Sequence, residues 1–498
     1  MTRRTALLIA IIVLAAALRF YSLGSKPLWL DEIMSAQRVR GSFGLMLDEV
    51  AQHDGHPPLY YATQYAAKIF GHGEFAVRIP AALAGLLLVY VVYRAGRLLL
   101  GDACGLAAAG LCALSGFQVC YSQEARPYAL AMLLAATSLW LLLSILRQNE
   151  EKKVLERGLE KTFFKKLAPA LPWLAYTLVG AAMLYTFYYL AFALIAEGAI
   201  LLASRRHSKP IVKKWLISRA VVAVLFAPYL TVVLGRMAGL PPMPTQSKLD
   251  VLCALPGAFV QMLTGIDVAA LQSPAAVAVV YAAAVVPLLA ALVLLRKQFF
   301  ECSVPLFYVA IAAAGAVLIP WRLQLFEAKH LAFAAPVLLV LAAYLPARFP
   351  RPAAWLGFGL LILFNAYSLA GYYDREFQKE RWPEACRMVH ENVRPGDGIV
   401  FNPSYLGCAF AYYYQNAGEL IRVDAPALLP AAPEIKRVWL IEERGSNIAP
   451  SDPALPALIE KDFSPAEFAF GYGEKATATI LPGYMGSIVI KLYARGRP

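Results

Sequence analysis

A succession of long apolar runs, none with the alternation of a β-strand, decides most of what this chain can fold into. About eleven of them, each roughly 17 to 25 residues long, fall near residues 5–22, 79–100, 104–120, 127–147, 171–187, 189–204, 215–235, 274–295, 303–320, 331–346 and 353–372. As helices they satisfy their own backbone hydrogen bonds while crossing a hydrocarbon core about 30 Å thick. Of the 498 residues, 59% are hydrophobic and 16% charged. The mean hydropathy of +0.56 is beyond that of an ordinary soluble domain. The fold class expected is a polytopic α-helical membrane protein. The first run, behind Thr2-Arg3-Arg4, is shaped like a signal peptide, but no small-residue cleavage site follows Leu18. It reads as a retained anchor.

The net charge of +13 would raise the question of nucleic acid in a soluble chain. Here topology accounts for it. With the N-terminus in the cytoplasm, the inner loops carry Lys152, Lys153, Arg157, Lys161, Lys165 and Lys166, then Arg205, Arg206, Lys209, Lys213 and Lys214, then Arg296 and Lys297, and last Arg348 and Arg351. This is the positive-inside pattern of a multi-pass protein of the cytoplasmic (inner) membrane, with membrane lipids rather than nucleic acid as partners. An odd number of spans leaves residues 373–498 outside as a small extracytoplasmic α/β domain. It has helices near 383–393 and 404–415 and strands near 398–402, 437–442 and 486–494. No GxGxxG, P-loop or GxSxG occurs in that tail, so it is assigned no catalysis of its own. Cys386 and Cys408 lie within it, where a disulfide is permitted without being required.

Residues 1–372 form the membrane domain, with polar outer loops at 23–78, 121–126, 236–273 and 321–330. In the first loop, residues 42–55 predict a short surface helix capped by Ser42, with Phe43, Leu45, Met46 and Val50 as its apolar stripe. His56-Pro57-Pro58 ends it in a rigid corner. The proline-rich stretch 236–250 reads equally as a lid or as a flexible connector.

Charge gathers at the outer rim in four clusters: Asp31-Glu32; residues 53–61 (HDGHPPLYY) with Arg78; residues 121–130 (YSQEARPYAL); and residues 326–336, where Glu327, Lys329 and His330 stand at the mouth of a span. Ionised groups at a membrane rim are expensive unless solvated, paired or used. Alternating carboxylates and cations suit a site that deprotonates a nucleophile while neutralising an anionic leaving group. An enzyme facing away from ATP needs an activated donor carried by lipid, and a sugar on polyprenyl phosphate fits this rim. Asp31 would be the base, and Arg78, Arg126, Lys329 and His330 would hold phosphate. Plainer readings stand beside these. Asp31 and Glu32 are equally a solvated pair, and Glu124 and Arg126 are partners in structural ion pairs. Tyr121 and Tyr128 belong to an aromatic belt with Tyr185, Tyr188 and Tyr189, and Arg19 snorkels to headgroups while remaining a secondary phosphate candidate. His53, Asp54 and His56 lie close enough to touch an ion, but no metal-ligand pattern is present. Neither a metal nor another cofactor is assigned.

The order R-F-x-x-L, W-L-D-E, a loop helix, H-P-P-L-Y-Y, R-I-P-A-A-L-A-G and Y-S-Q-E-A-R-P-Y-A-L resembles integral-membrane glycosyltransferases of the GT-C class. The likeness, over roughly residues 5–345, is to the family 39-like branch, which includes protein O-mannosyltransferases and the bacterial transferases that add aminoarabinose to lipid A. It implies a GT-C fold, a polyprenyl-phosphate sugar donor, inversion at the anomeric carbon and an Asp in the first outer loop as base, a place that Asp31 takes. Glu32 is the second member of that pair. Glu124 matches a second acidic position, where it would orient the acceptor or hold Lys329. Lys329-His330 occupies the segment that grips lipid phosphate. The basic residue before the paired prolines is His56 here, whose charge depends on pH. His53, Tyr60, Tyr121, Tyr128 and Glu327 complete the expected substrate-binding set. The expected activity is transfer of a hexosyl or pentosyl group to a lipid, glycan or protein hydroxyl on the outer face. The alternative, a flippase or transporter of a lipid-linked glycan, predicts repeated halves and midplane charges that the sequence does not display.

Overall fold

The computed structural model describes residues 2–155, 170–203, 209–239, 247–318, 326–349, 352–374, 377, 379–414, 420–424, 432–444, 452–466, 468–469, 475–476, 478–482 and 487–495. Within them every apolar run is helical. Residues 2–155 form α1 (Arg3–Phe20), α2 (Leu30–Arg38), α3 (Phe43–His53), α4 (Leu59–Ala67), α5 (Glu74–Leu100), α6 (Asp102–Leu114), α7 (Gly116–Ser122) and α8 (Tyr128–Leu155). Among the described residues seven helices are long and apolar enough to cross a membrane, or eight if α6 and α7 count as one bent span. The strongly apolar α1 carries three arginines, and Leu171–Leu184 and Leu190–Ala203 are shorter than a full crossing. The chain is a multi-pass helical membrane protein with a small sheet domain at its C-terminal end.

The chain divides into two compact units. The first is Met1–Leu23, Arg38–Gly71 and Ala76–Tyr372; the second joins Gly24–Gln37 and His72–Phe75 to Tyr373–Pro498. Two stretches of the expected first outer loop therefore group with the tail rather than with the membrane helices.

In the first unit, α6 and α7 meet at 59°. Ser115, with extended backbone (φ −64°, ψ 118°), ends one helix and caps the next by accepting from Gln118 N–H. A break of this kind leaves the last carbonyls of α6 without helical donors in a place that water does not reach. Arg19 supplies them. Fully buried, its guanidinium donates to the carbonyl oxygens of Cys112 (3.0 Å) and Ala113 (3.2 Å) and to Ala15 of its own helix (3.3 Å). In return, Gln123 just past α7 donates to the carbonyls of Leu18, Arg19 and Tyr21 at the end of α1. The snorkelling place expected for Arg19 is thus replaced by an internal one. The glycine of the RIPAALAG run is required nearby, since a Cβ at Gly85 would lie 1.9 Å from Ser122 Oγ and 3.1 Å from Arg19 Nε.

Other expectations change around the later loops. Helix Lys209–Gly239 runs past the predicted span, and Ser247 caps a further apolar helix, Lys248–Thr264, inside what reads as an outer loop. Only 240–246 of the supposed lid remain between them, and these lie outside the described residues, as do most of the basic loop after α8 and residues 319–325. Of the predicted stripe on α3, Met46 and Val50 are buried with Val39 and Tyr61, whereas Phe43 and Leu45 are exposed.

In the second unit a six-stranded mixed sheet is built from β1 (Asp397–Asn402), β2 (Leu420–Arg422), β3 (Arg437–Arg444), β4 (Phe463–Pro465), β7 (Ala478–Pro482) and β8 (Ser487–Arg495). Their order is β2-β1-β3-β8-β4, with β7 also on β8; β1 runs parallel to β2 and β3, and β8 antiparallel to its neighbours. Short strands β5 (Phe468–Ala469) and β6 (Lys475–Ala476) pair separately. Val400, Val438, Leu440, Ile459 and Phe463 form its core. Asp397 pins the start of β1, accepting from both Arg437 and the Trp439 indole. Cys386 and Cys408 are both free thiols, with Cys386 donating to Phe410 O, so the disulfide that the sequence permits is not formed.

Arg19→Met leaves the α6 carbonyls with no donor while keeping an apolar stem. We expect it to cost about 2–3 kcal/mol for unsatisfied buried acceptors, read as a lowered unfolding midpoint of the detergent-solubilised chain.

Candidate active site

The proline corner between α3 and α4 builds the core of the site in the first unit. Helix α3 stops at His53, and Asp54 follows with extended backbone ahead of the Pro57-Pro58 corner. The Asp54 carboxylate bonds its own chain two residues on, accepting from His56 N–H at 2.8 Å, an Asx-type turn. It also meets His56 Nδ1 at 3.1 Å and Arg38 Nη1 at 2.8 Å. Burial by itself would raise Asp54. The hydrogen bond and charge of His56, with the charges of Arg126 and Arg38, outweigh it and hold the carboxyl well below the usual carboxylate range. Just beyond the corner, Leu59 N–H donates to Tyr185 O (2.9 Å), which ties α4 to the turn ahead of Leu190–Ala203.

That turn carries Phe187 and Tyr189, and through them four rings stack in one file. His56 lies on Phe187 (5.6 Å, 16°), Phe187 on Tyr189 (5.3 Å, 27°), and Tyr189 on His330 (5.2 Å, 16°). Tyr128 stands edge-on to both His56 and Phe187, with Tyr121 edge-on to Tyr128. Cations flank the file. Arg126 Nη2 is 3.2 Å from His56 Nδ1, and Lys329 Nζ lies 5.9 Å from the Tyr128 ring centre while pairing with Glu327 at 2.7 Å. His330 Nδ1 accepts from Glu327 N–H at 3.1 Å, which fixes its tautomer as the Nε2–H form.

The structure therefore brings together His56, Tyr121, Arg126, Tyr128, Glu327, Lys329 and His330 from three separate segments of the sequence. Glu124 is buried in the turn between α7 and α8, a bend rather than a helix, where its carbonyl accepts from Arg126 N–H. Others of the expected set stand apart. His53 is exposed and faces Glu49 at 3.4 Å. Tyr60 is wholly buried, edge-on to Tyr61. Arg78 is buried and donates to Leu23 O at 3.0 Å, and Arg19 caps α6. Asp31 and Glu32 belong to the second unit, in the first turn of α2. There Glu32 is buried and accepts from Trp29 N–H at 3.5 Å, and Asp31 O accepts from Ser35 Oγ at 2.9 Å.

Arg38, Phe187 and Tyr189 were not among the expected site residues, and Asp54 was read only as a possible ion contact. The Asp two residues ahead of a His-Pro-Pro corner was a usable signal, because that spacing forms a local turn. Phe187 and Tyr189 were hidden in an aromatic run with the look of a membrane belt. A small apolar pocket is lined by Val92, Ala95, Leu139, Tyr308, Phe333 and Pro336, among others. Among the described residues no three His, Cys, Asp or Glu side chains gather as a metal site would require.

The profile of the dolichyl-phosphate-mannose-protein mannosyltransferase family matches residues 55–231. That stretch holds His56, Phe187 and Arg126 but not Asp31 or Lys329. Among solved structures the chain is similar to apo ArnT from Cupriavidus metallidurans, at 13% identity over 98% of each chain with a TM-score of 0.56. It is also similar to the oligosaccharyltransferase AglB from Archaeoglobus fulgidus in complex with an inhibitory peptide and a dolichol-phosphate, at 12% identity over 99% of this chain and 74% of that one, with a TM-score of 0.49. No curated protein sequence matches the chain. The fold is that of the GT-C glycosyltransferases, and the sequence resembles the protein O-mannosyltransferases.

Because Asp54 titrates below its ordinary range, its contribution to stability is present above about pH 4 and is lost as pH falls from there toward the folded-state value. Asp54→Asn is expected to cost about 3 kcal/mol at pH 7, where it removes the buried carboxylate that pairs with Arg38 and His56. The gap between the melting curves of mutant and wild type should narrow as pH falls below about 4.

Proposed function

We propose that this protein is an inverting glycosyltransferase that moves a sugar from a polyprenyl-phosphate donor to a hydroxyl acceptor at the outer face of the cytoplasmic membrane. The observation that carries the reading is the convergence of Arg126, His56, Lys329 and His330 on one stacked file of rings in a unit built of apolar helices. A lipid phosphate asks for that combination, namely cations for the headgroup and an apolar surface for the chain behind it. The family profile, whose description names a dolichyl-phosphate sugar as donor, covers the segments that carry His56, Arg126 and Phe187.

In the reaction, the acceptor oxygen attacks the anomeric carbon while the bond from that carbon to the phosphate oxygen breaks. The electron pair leaves with the polyprenyl phosphate. Arg126 and Lys329 meet the charge that develops there, and their value is greatest in a site walled by aromatic rings that exclude water. Tyr121 and Tyr128 wall the same side. Asp31 takes the proton released by the acceptor hydroxyl. Its assignment rests on the WLDE motif and on its half-buried place in the first turn of α2. Glu32 and Glu124, both buried, hold the loops that carry Asp31 and Arg126. The donor sugar is a hexose or a pentose, and the acceptor is a lipid, a glycan or a protein.

Purified protein is to be offered a panel of radiolabelled polyprenyl-phosphate sugars with a membrane extract as acceptor source. Wild type should transfer one of them, and Asp31→Asn should lose at least about a thousandfold in turnover while still binding donor. Full turnover by Asp31→Asn would remove its role as base, and absence of transfer from every donor would count against the whole reading. Lys329→Ala should weaken donor binding by roughly tenfold to a hundredfold, the range for a lost charged hydrogen bond.

A further inference from the structure

Helix α2 begins at Leu30, so Asp31 lies one residue inside a helix start whose amides have no acceptor within the helix. The acceptor for the first of them comes from 350 residues away. Glu380 Oε2 takes the Leu30 N–H at 2.9 Å, and the same oxygen accepts the indole N–H of Trp382. Both Glu380 and Trp382 are buried. Neighbouring contacts fix the approach to this helix. Leu28 N–H donates to Tyr413 Oη at 2.7 Å, and Lys379 Nζ lies 4.7 Å from the Trp29 ring centre. At the far end of α2, Gln37 Nε2 donates to Cys408 O at 3.0 Å. The segment that carries the acid pair is thus held at both ends by residues of the C-terminal domain within one compact unit.

We propose that Glu380 is a positioning residue for Asp31, capping the first turn of α2 from the C-terminal domain and so fixing the place from which Asp31 works. The inference rests on the reading of Asp31 as the base, and it gives the tail a part in transfer without any catalytic group of its own. A capping carboxylate also carries charge. Burial foremost, and then the nearby charges of Glu443 and Asp31, push Glu380 up to about 7 against the opposing hydrogen bonds from Trp382 and Leu30. The other polar groups around it are Tyr405, whose hydroxyl reaches Glu443 Oε2 at 3.4 Å, Glu32 on α2, and Lys379 over Trp29. As pH rises through that range Glu380 becomes an anion, a stronger acceptor for the Leu30 amide and a second negative charge beside Asp31.

The test compares the full-length wild type with Glu380→Ala, Glu380→Gln and Asp31→Asn by two readouts. The first, which needs no substrate, is deuterium exchange of the peptide covering residues 28–36, with the β3 amides Val438–Ile441 as an internal control. Loss of the cap in Glu380→Ala should speed exchange about tenfold in the α2 peptide and leave β3 unchanged, whereas Glu380→Gln keeps an acceptor and should stay within about threefold of wild type. Unchanged α2 exchange in Glu380→Ala overturns the proposal. The second is turnover against pH with whichever polyprenyl-phosphate sugar the wild type uses. Wild type should gain activity through about pH 7 with donor KM steady, and Glu380→Gln should lose that step while its KM stays the same. A purely structural cap would leave the step in place, and that result overturns the positioning role. Full turnover by Asp31→Asn would instead overturn the assignment of the base, leaving the cap to be judged by exchange alone.

Discussion

The exchange of caps between α1 and the broken span is the constraint on which the first unit depends. A helix that stops at Ser115 inside the membrane exposes carbonyls that neither lipid nor water can satisfy. Arg19 answers that need from α1, and Gln123 answers the matching need at the end of α1. Because each side chain caps the other's helix, neither element can shift alone. The break then redirects the chain, so that Glu124 and Arg126 follow in a turn, with Tyr128 opening α8, rather than continuing along a straight span.

Upon that frame the candidate site is assembled by rings rather than by ion pairs. Surface ion pairs are weak and adjustable, whereas a file of four stacked rings between two histidines has little freedom to slide. The four rings come from three contexts: the proline corner, the turn after Leu171–Leu184, which supplies two, and the 3-10 segment Ala328–Ala334. Arg126 and Lys329 are placed against this file. Asp54, buried and ionised, keeps His56 and Arg38 in register around the corner.

Deeper in the same unit a second polar knot has a different purpose. Glu197, fully buried, accepts from Ser138, Tyr176 and Tyr308, and so joins α8 with helices Leu171–Leu184, Leu190–Ala203 and Phe299–Leu318. Hydrocarbon gives apolar helices no reason to choose one another, and shared hydrogen bonds of this kind supply the choice. In the second unit a comparable role falls to Asp397, which gathers Arg437 and Trp439 at the start of the paired strands β1 and β3.

The helical character of the apolar runs, the helix α3 behind Ser42 and the strands expected near 398–402, 437–442 and 486–494 were legible in the sequence, because each follows from a local period or a local stop. His56, Arg126, Lys329 and His330 stood out too, as members of polar clusters between apolar runs. What the sequence left open were relations between distant residues. Arg19 looked the same whether it would reach for headgroups or for the carbonyls of α6, and Phe187 and Tyr189 looked like any aromatic belt. Residues 24–37 gave no sign that they would join the C-terminal domain, or that Glu380 would cap the helix of Asp31. By itself the sequence determined the kind of its segments, apolar helices followed by a mixed α/β tail, because hydrophobic periodicity is read one segment at a time. Only the tertiary structure decided which buried polar groups satisfy one another, because a hydrogen bond between residues 350 apart leaves no local period to read.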